Sequence, residues 1–349
     1  MQPATRAHSG SRTALPLVAG LGAALLVCLA IYFGSGQLSR FDSPLAAYAA
    51  ATVFSAFAIT FRYTAWLQRP PTWRYFKTSW KIFLRLPELP RNLVRLAGLL
   101  WNNLIAQRFI ERRSPQRWMA HLMLAWGCFL AFAITFPLSW GWIQFGVAAD
   151  SRTYVVETFG IPMLSFPPDS VLAFLFFNGL NISAVLVLGG VALAMHRRVF
   201  HSGAHAVQTL ANDFVPLFIL FSVSVTGLML TASYKWMGGS HFAFLSLLHA
   251  FTVIVFLLWI PFGKFFHIIQ RPAQLGVAFY KEQGAKGEAF HCARTGEAFQ
   301  SKLHHDDLVA VMKELGIDFG AHQDLSPTEK RRLVALNQAS LIDGAPYVG

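Results

Sequence analysis

The sequence predicts an all-α integral membrane protein, a bundle of six transmembrane helices with a short cytoplasmic C-terminal tail. Hydrophobic residues make up 54% of its 349 residues and charged residues only 13%, which is about half the charged fraction of an ordinary soluble domain. The apolar residues lie in blocks near the length of about 20 residues that a helix needs to cross a bilayer. Because these blocks show no alternation of polar and apolar residues, helices are favoured over a barrel.

Six blocks of this length follow one another along the chain. The second begins within ten residues of the first, which argues against a cleaved signal peptide at the N-terminus. The predicted spans are residues 14–34, 44–67, 117–140, 170–196, 212–233 and 242–269.

The positive charge of the chain is concentrated where it can set the orientation in the membrane. Eleven basic residues lie from Arg69 to Arg117, with only two acidic residues among them. By the positive-inside rule, both termini are expected in the cytoplasm, with the chain in the inner (cytoplasmic) membrane. Topology and contact with anionic membrane lipid therefore account for the net charge of +12, and no nucleic-acid partner is predicted.

Two regions are predicted before the third span. Residues 1–68 form a hairpin of two spans. Residues 69–116 carry aromatic side chains interleaved with cations, a pattern typical of amphipathic helices that lie at the membrane interface. Pro87 and Pro90 are expected to divide this second region into at least two helices.

The remaining chain is predicted to form a core and a tail. Residues 117–269 are expected to be a four-helix core. Residues 270–349 hold ten of the 17 acidic residues of the chain and are expected to dock a partner subunit. Helices are predicted in this tail at 304–315 and after Ser326, where Ser-Pro-Thr-Glu forms a capping box with proline at the first position.

Two histidines lie at matching depths in the predicted bundle. His121 follows Arg117 near the start of the third span, and His267 follows Lys264 near the end of the sixth. Because these spans run in opposite directions, both imidazoles are expected near the cytoplasmic surface. Two neutral imidazoles that face each other are what a six-coordinate haem iron needs. The sequence therefore predicts that the four-helix core of residues 117–269 binds one haem, ligated by His121 and His267.

A third intramembrane histidine, His249, lies 18 residues before His267. Eighteen residues are five helical turns, or about 27 Å. On one continuous helix, His249 would therefore share a face with His267 and lie near the outer surface. A histidine at this depth needs a polar partner, so His249 is a candidate ligand of a second haem or a hydrogen-bond partner of a quinone.

Four cations lie at the depth of the predicted haem and are candidate partners of its two propionates. Each of them also has the simpler interpretation of a positive flank that fixes topology. They are Arg117, Arg197, Arg198 and Lys264.

These residues carry a resemblance to a known family. The segment from His249 to Pro272 is similar to the last helix of the cytochrome b family typified by the respiratory nitrate reductase gamma subunit, and to the membrane subunits of sulfite- and heterodisulfide-reductase complexes. The segment from Arg117 to Gly127 resembles the earlier ligand-bearing helix of that family. The resemblance covers roughly residues 112–272. Members with two haems carry a second histidine about ten residues along that helix, where this chain has Ala131 and Phe132.

The resemblance implies a membrane-anchoring cytochrome b subunit that transfers electrons between the quinone pool and a cytoplasmic iron–sulfur or molybdenum redox subunit. The partner is expected to dock on residues 72–116, on residues 196–211 and on the tail. The quinone or quinol is expected in one of two places. One is beside His249 with Lys235 or Trp236 near the outer surface, and the other is beside Trp126, nearer the middle of the membrane.

Two alternatives stay open. The chain could be a non-redox transporter or anchor, because its spans are rich in glycine and hold few charges. It could also be a di-iron membrane oxidase with histidine boxes. The histidines available for such boxes are His196, His201, His205, His304 and His305.

Overall fold

Six helices of the computed structural model are long and apolar enough to cross a membrane, which confirms the predicted all-α membrane bundle. The structure describes residues 9–39, 41, 44–148, 152–200, 208–317 and 320–342. Within these residues the spans are Thr13–Gly34, Leu45–Leu67, Pro115–Ser139, Val171–Phe200, Leu210–Trp236 and Phe242–Trp259.

The chain divides into two compact units. The first, here called the bundle unit, comprises residues 14–63 and 100–270 and holds nearly all of the six spans. The second, here called the tail unit, comprises residues 64–99 with the described residues from 271 onwards, and the described residues 9–13 are grouped with it. The four regions predicted above remain a prediction.

The third and fourth spans approach each other closely at two glycines. A Cβ atom on Gly127 would lie 2.7 Å from Cγ2 of Val187, and one on Gly190 would lie 2.9 Å from the carbonyl oxygen of Ala120. The Ser183 hydroxyl donates across the same contact to the carbonyl oxygen of Gly127 at 2.8 Å. Small residues and interhelical hydrogen bonds are what bring helices together in a bilayer. Glycine therefore has a packing role in these spans.

A small antiparallel sheet connects the third span to the fourth. Its strands are Ile143–Val147, Tyr154–Thr158 and Ile161–Phe166, in that order. Ile143 pairs with Thr158, and the second strand then pairs with the third across a bulge. No strand was predicted between the spans 117–140 and 170–196, because these strands are too short to give a clear alternating pattern.

The sixth span is shorter than predicted, and the prediction of one helix over 242–269 is wrong. The helix ends at Trp259, and a separate helix, Phe266–Lys286, begins after six non-helical residues. Pro261 has no N–H group to donate to the carbonyl oxygen of Leu257, four residues earlier. The Ser55 hydroxyl of the second span donates to that oxygen instead, at 2.6 Å.

The break separates two histidines that were expected on one helix. His249 lies on Phe242–Trp259 and His267 on Phe266–Lys286, so the prediction that five helical turns place them on one face is also wrong. Arg62 of the second span contacts both sides of the break. Its Nη1 donates to the carbonyl oxygen of Pro261, and its guanidinium lies 4.4 Å from the centre of the Phe266 ring.

The tail unit contains both predicted tail helices, as Lys302–Glu314 and Pro327–Ile342. One half of the predicted capping box forms, because Ser326 Oγ accepts the main-chain N–H of Glu329 at 3.3 Å. The main-chain N–H of Ser326 donates to Cys292 Sγ at 3.3 Å instead of to the Glu329 side chain. Ahead of them lies a hairpin of the strands Ala289–His291 and Ala298–Ser301.

The basic region before the third span forms helices, as predicted. Pro70–Phe83 and Leu89–Leu100 are separated by a short turn around Pro87. The tail packs on the first of these helices. Tyr75 Oη lies 3.0 Å from His304 Nδ1, and Arg74 lies 3.6 Å from Asp307.

Candidate functional site

The structure brings His121 and His267 together within the bundle unit. His121 is the seventh residue of the helix Pro115–Ser139, and His267 is the second residue of Phe266–Lys286. Their ring centres are 6.2 Å apart, and the ring planes are inclined by 64°. An imidazole nitrogen lies about 1 Å from its ring centre and about 2 Å from a metal ion that it binds. Two imidazoles on opposite sides of one metal ion therefore have centres about 6 Å apart, the separation found here.

Carbonyl oxygens contact the Nδ1 atoms of both rings. His121 Nδ1 lies 2.7 Å from Gln107 Oε1, and His267 Nδ1 lies beside the main-chain oxygen of Lys264. A carbonyl oxygen can only accept, so each Nδ1 carries the proton and donates it. The lone pair of each ring is then on Nε2, which is the atom that binds a metal ion. Histidine ligands ordinarily donate their second N–H group to such an acceptor.

Gln107 is a site residue that the sequence analysis missed. It is 6% exposed and has a φ of +52°, in the left-handed region, at a point where the chain turns between two short helical segments. Two tryptophans of the third span hold this turn. Trp118 Nε1 donates to the carbonyl oxygen of Ala106 at 2.7 Å, and Trp126 Nε1 to that of Ile105 at 3.2 Å. The indole of Trp126, a quinone candidate above, therefore has a structural contact.

Three of the four predicted propionate-binding cations interact with one carboxylate, that of Asp213. Lys264 Nζ lies 2.8 Å from Asp213 Oδ1, and Arg198 lies 3.8 Å from the same oxygen. Arg197 interacts electrostatically with both Asp213 and Arg117. Arg117 lies one helical turn before His121, and the main chain of Lys264 contacts His267. This positive cluster is therefore continuous with the histidine pair.

Arg198 has an unsatisfied donor in this cluster. Its side chain is 12% exposed. Nη1 donates to the carbonyl oxygen of Ala194 at 3.1 Å, whereas Nε is buried with no hydrogen-bond partner among the described residues. A buried N–H group without an acceptor costs free energy, and a carboxylate oxygen would supply that acceptor. The residues therefore fit a group whose metal ion binds two imidazoles and whose edge carries carboxylates, as a haem does.

The structure does not place His249 with the other two histidines. It is the eighth of the 18 residues of Phe242–Trp259, near the middle of the span rather than its outer end. His249 lines a cavity of about 300 Å³, of which neither His121 nor His267 is a lining residue. Within that described lining, His249 is the only histidine.

The other quinone candidates lie apart from this cavity. Lys235 and Trp236 are exposed and do not line it. Lys235 Nζ donates instead to Asn178 Oδ1 at 3.1 Å.

The described histidines of the di-iron alternative each contact another side chain. His201 and His205 lie outside the described residues. His196 Nδ1 lies 3.4 Å from Gln116 Nε2, in the bundle unit. In the tail unit, His304 contacts Tyr75 as described above, and His305 Nε2 lies 2.9 Å from Asp324. Across the described residues, no group of three or more His, Cys, Asp or Glu side chains has the geometry of a metal site.

Half of this chain is similar in sequence to a known membrane protein. One of the subunits of the dihydromethanophenazine:CoB–CoM heterodisulfide reductase of Methanosarcina barkeri is 28% identical over 180 residues, which are 50% of this chain. The match covers 63% of that protein, less than two thirds of its length. No protein-family model matches the chain, and no solved structure does.

Together, the six spans and this similarity describe a multi-pass membrane protein. The similarity supports the heterodisulfide-reductase side of the predicted resemblance. It lends no support to the nitrate reductase gamma side.

Proposed function

We propose that the protein is a cytochrome b subunit that carries electrons between a lipid-soluble quinone and an iron–sulfur partner. The observation that carries the proposal is the histidine pair, whose ring centres are 6.2 Å apart and whose Nδ1 atoms both face carbonyl oxygens. The relative named above adds support, because its name pairs a reduced compound, dihydromethanophenazine, with a reductase.

In this proposal, His121 and His267 hold one b-type haem, whose iron accepts and donates single electrons when it is bound. Gln107 and the main chain of Lys264 fix the tautomer of the two rings and their orientation. Both acceptors also make the rings more electron-rich and so favour the oxidised iron.

The positive cluster has a separate role toward the same group. Arg198 Nε offers a donor to one carboxylate. Arg117 and Arg197 add positive charge that Asp213 neutralises only in part. Charge-assisted hydrogen bonds to carboxylates are stronger than neutral ones. The cluster would therefore orient the acidic edge of the haem.

The partner would bind to the basic surface on the cytoplasmic side. Helix Pro70–Phe83 exposes Lys77 and Lys81 beside Trp73 and Trp80. Positive patches attract acidic redox proteins and speed their association. The other two predicted docking regions are the tail and residues 196–211, of which 201–207 lie outside the described residues.

A reduced-minus-oxidised absorption spectrum of the purified protein tests the proposal. We expect a b-type α band in the wild-type protein and its loss in His121→Ala and in His267→Ala. The matched control is His241→Ala, because His241 is an exposed histidine next to the sixth span that contacts Ser240 in the described hydrogen bonds. A folded, colourless wild-type protein would refute the cytochrome and favour the anchor or transporter.

A further inference from the structure

The cavity beside His249 has the composition of a small-molecule site. It lies among the second to sixth spans of the bundle unit and has a volume of about 300 Å³. Ligand pockets are mostly apolar and carry a few polar groups that fix orientation, and this cavity follows that pattern. Its polar lining residues include His249, Asn181, Ser183, Ser224, Thr135 and Thr231.

One wall of the cavity is aromatic. The rings of Phe132 and Phe136 are stacked with centres 5.2 Å apart, and Phe132 also lies 5.7 Å from Phe256. All three residues line the cavity. A planar aromatic ligand stacks favourably on such rings. Because His249 is the only histidine among the described lining residues, a haem iron in this cavity would have only one imidazole ligand.

His249 presents a hydrogen-bond acceptor to this space. Its Nδ1 lies 2.9 Å from Thr226 Oγ1, and that hydroxyl donates its own proton to the carbonyl oxygen of Ser222 at 2.7 Å. Nδ1 must therefore be the donor, and Nε2 carries the lone pair. Thr226 does not line the cavity, whereas Gly227 does, and a Cβ atom on Gly227 would lie 3.3 Å from His249 Cε1. Thr226 thus engages Nδ1, and Nε2 is the nitrogen with which this lining residue can accept a hydrogen bond.

Asn181 supplies the complementary donor. The Thr231 hydroxyl donates to Asn181 Oδ1 at 2.8 Å, so the amide oxygen is engaged and the NH₂ group keeps its two N–H donors. The cavity therefore offers an aromatic wall, one neutral acceptor and one neutral donor. It offers no charged side chain among its described lining residues.

We propose that this cavity binds the head group of a quinol, with a quinol hydroxyl donating to His249 Nε2 and the ring stacked on Phe132. A neutral ring with hydroxyl groups matches the apolar wall and the neutral polar pair. The inference rests on the proposed function, since that function requires a quinone, and it assigns the quinone a site in the middle of the bundle.

Calorimetric titration of decylubiquinol into the dithionite-reduced protein in detergent tests this assignment, because the reduced protein cannot take up further electrons. We expect one site per chain. His249→Leu is expected to raise Kd about tenfold by removing the acceptor. Ala184→Leu is expected to abolish saturable binding, because Ala184 is buried and lines the cavity.

Two matched variants control for general damage to the protein. Val185→Leu changes the neighbouring residue, whose side chain is 62% exposed outside the cavity, and His241→Leu removes an exposed histidine. Both are expected to keep the wild-type Kd. Unchanged binding in His249→Leu and Ala184→Leu would overturn the assignment. The assignment would also be overturned if the wild-type protein held two haems per chain and Ala184→Leu removed one of them.

The two proposals fail in different ways. Decylubiquinol binding that depends on His249 in a protein without a b-type band would refute the haem and keep the cavity site. A b-type band that depends on His121, without saturable quinol binding, would refute the cavity site alone.

Discussion

Gln107 gives a sharp test of how the histidine pair is held. In Gln107→Met the side chain keeps its length and stays unbranched, but the acceptor 2.7 Å from His121 Nδ1 is lost. Gln107 is 6% exposed, so water cannot readily replace the amide oxygen. Removing such a partner of a metal-binding histidine costs about 10- to 100-fold in affinity, which corresponds to about 1.4 to 2.8 kcal/mol.

The measurements are the ratio of haem to protein after dilution and the midpoint potential of the b-type band. We expect Gln107→Met to lose haem and to raise the potential, because the imidazole donates less electron density to the oxidised iron. Gln107→Glu places a carboxylate at the same position and is expected to lower the potential. The opposite signs separate an effect on the ligand from a general loss of stability.

The matched control is Gln116→Met. Gln116 contacts His196, a histidine outside the proposed pair, at 3.4 Å, so haem content and potential are expected to stay at wild-type values. If Gln107→Met and Gln107→Glu both retained the wild-type potential, the reasoning that Gln107 fixes the His121 tautomer would be refuted.

Two further predictions concern packing and titration. Gly190→Leu is expected to force the third and fourth spans apart, because even a Cβ atom would lie 2.9 Å from the carbonyl oxygen of Ala120. The Tm of the Gly190→Leu protein in detergent should therefore be lower than that of the Val185→Leu protein. In the tail unit, hydrogen bonds from the Thr295 hydroxyl and from main-chain N–H groups lower the pKa of Cys292 from 9.0 to about 6. The thiolate therefore adds stability that is fully present above pH 9 and is lost as the pH falls through about 6. In urea unfolding, the difference in the free energy of unfolding between wild type and Cys292→Ala should therefore be smaller at low pH. A difference that stays constant with pH would contradict this prediction.

The spans and the histidine pair were accessible from the sequence because each depends on local composition. Apolar length alone gave six helices, and the direction of the spans gave His121 and His267 a common depth. The common depth of the two histidines was inferred from the few residues that separate His121 from Arg117 and His267 from Lys264. The tail helices were accessible for the same reason, since the capping box at Ser326 is a local pattern.

The break after Trp259 was not accessible in this way, although Pro261 is visible in the sequence. Proline is tolerated inside transmembrane helices when another group satisfies the freed carbonyl oxygen. Here the donor to Leu257 is Ser55, 202 residues away in the chain, and the helix ends nevertheless. Gln107 was missed for a similar reason. Its contact with His121 depends on a left-handed turn that no periodic pattern predicts.

Arg62 gives the N-terminal hairpin a purpose beyond filling lateral space. Its guanidinium joins the carbonyl oxygen of Pro261 to the ring of Phe266, the residue immediately before His267. A shortened protein that starts after the second span would retain every proposed iron ligand and every cation of the cluster. It would nevertheless lose the anchor of the segment that carries one of the two imidazoles. If the protein is the proposed cytochrome, its minimal electron-carrying unit is therefore larger than the four helices that hold the proposed haem site.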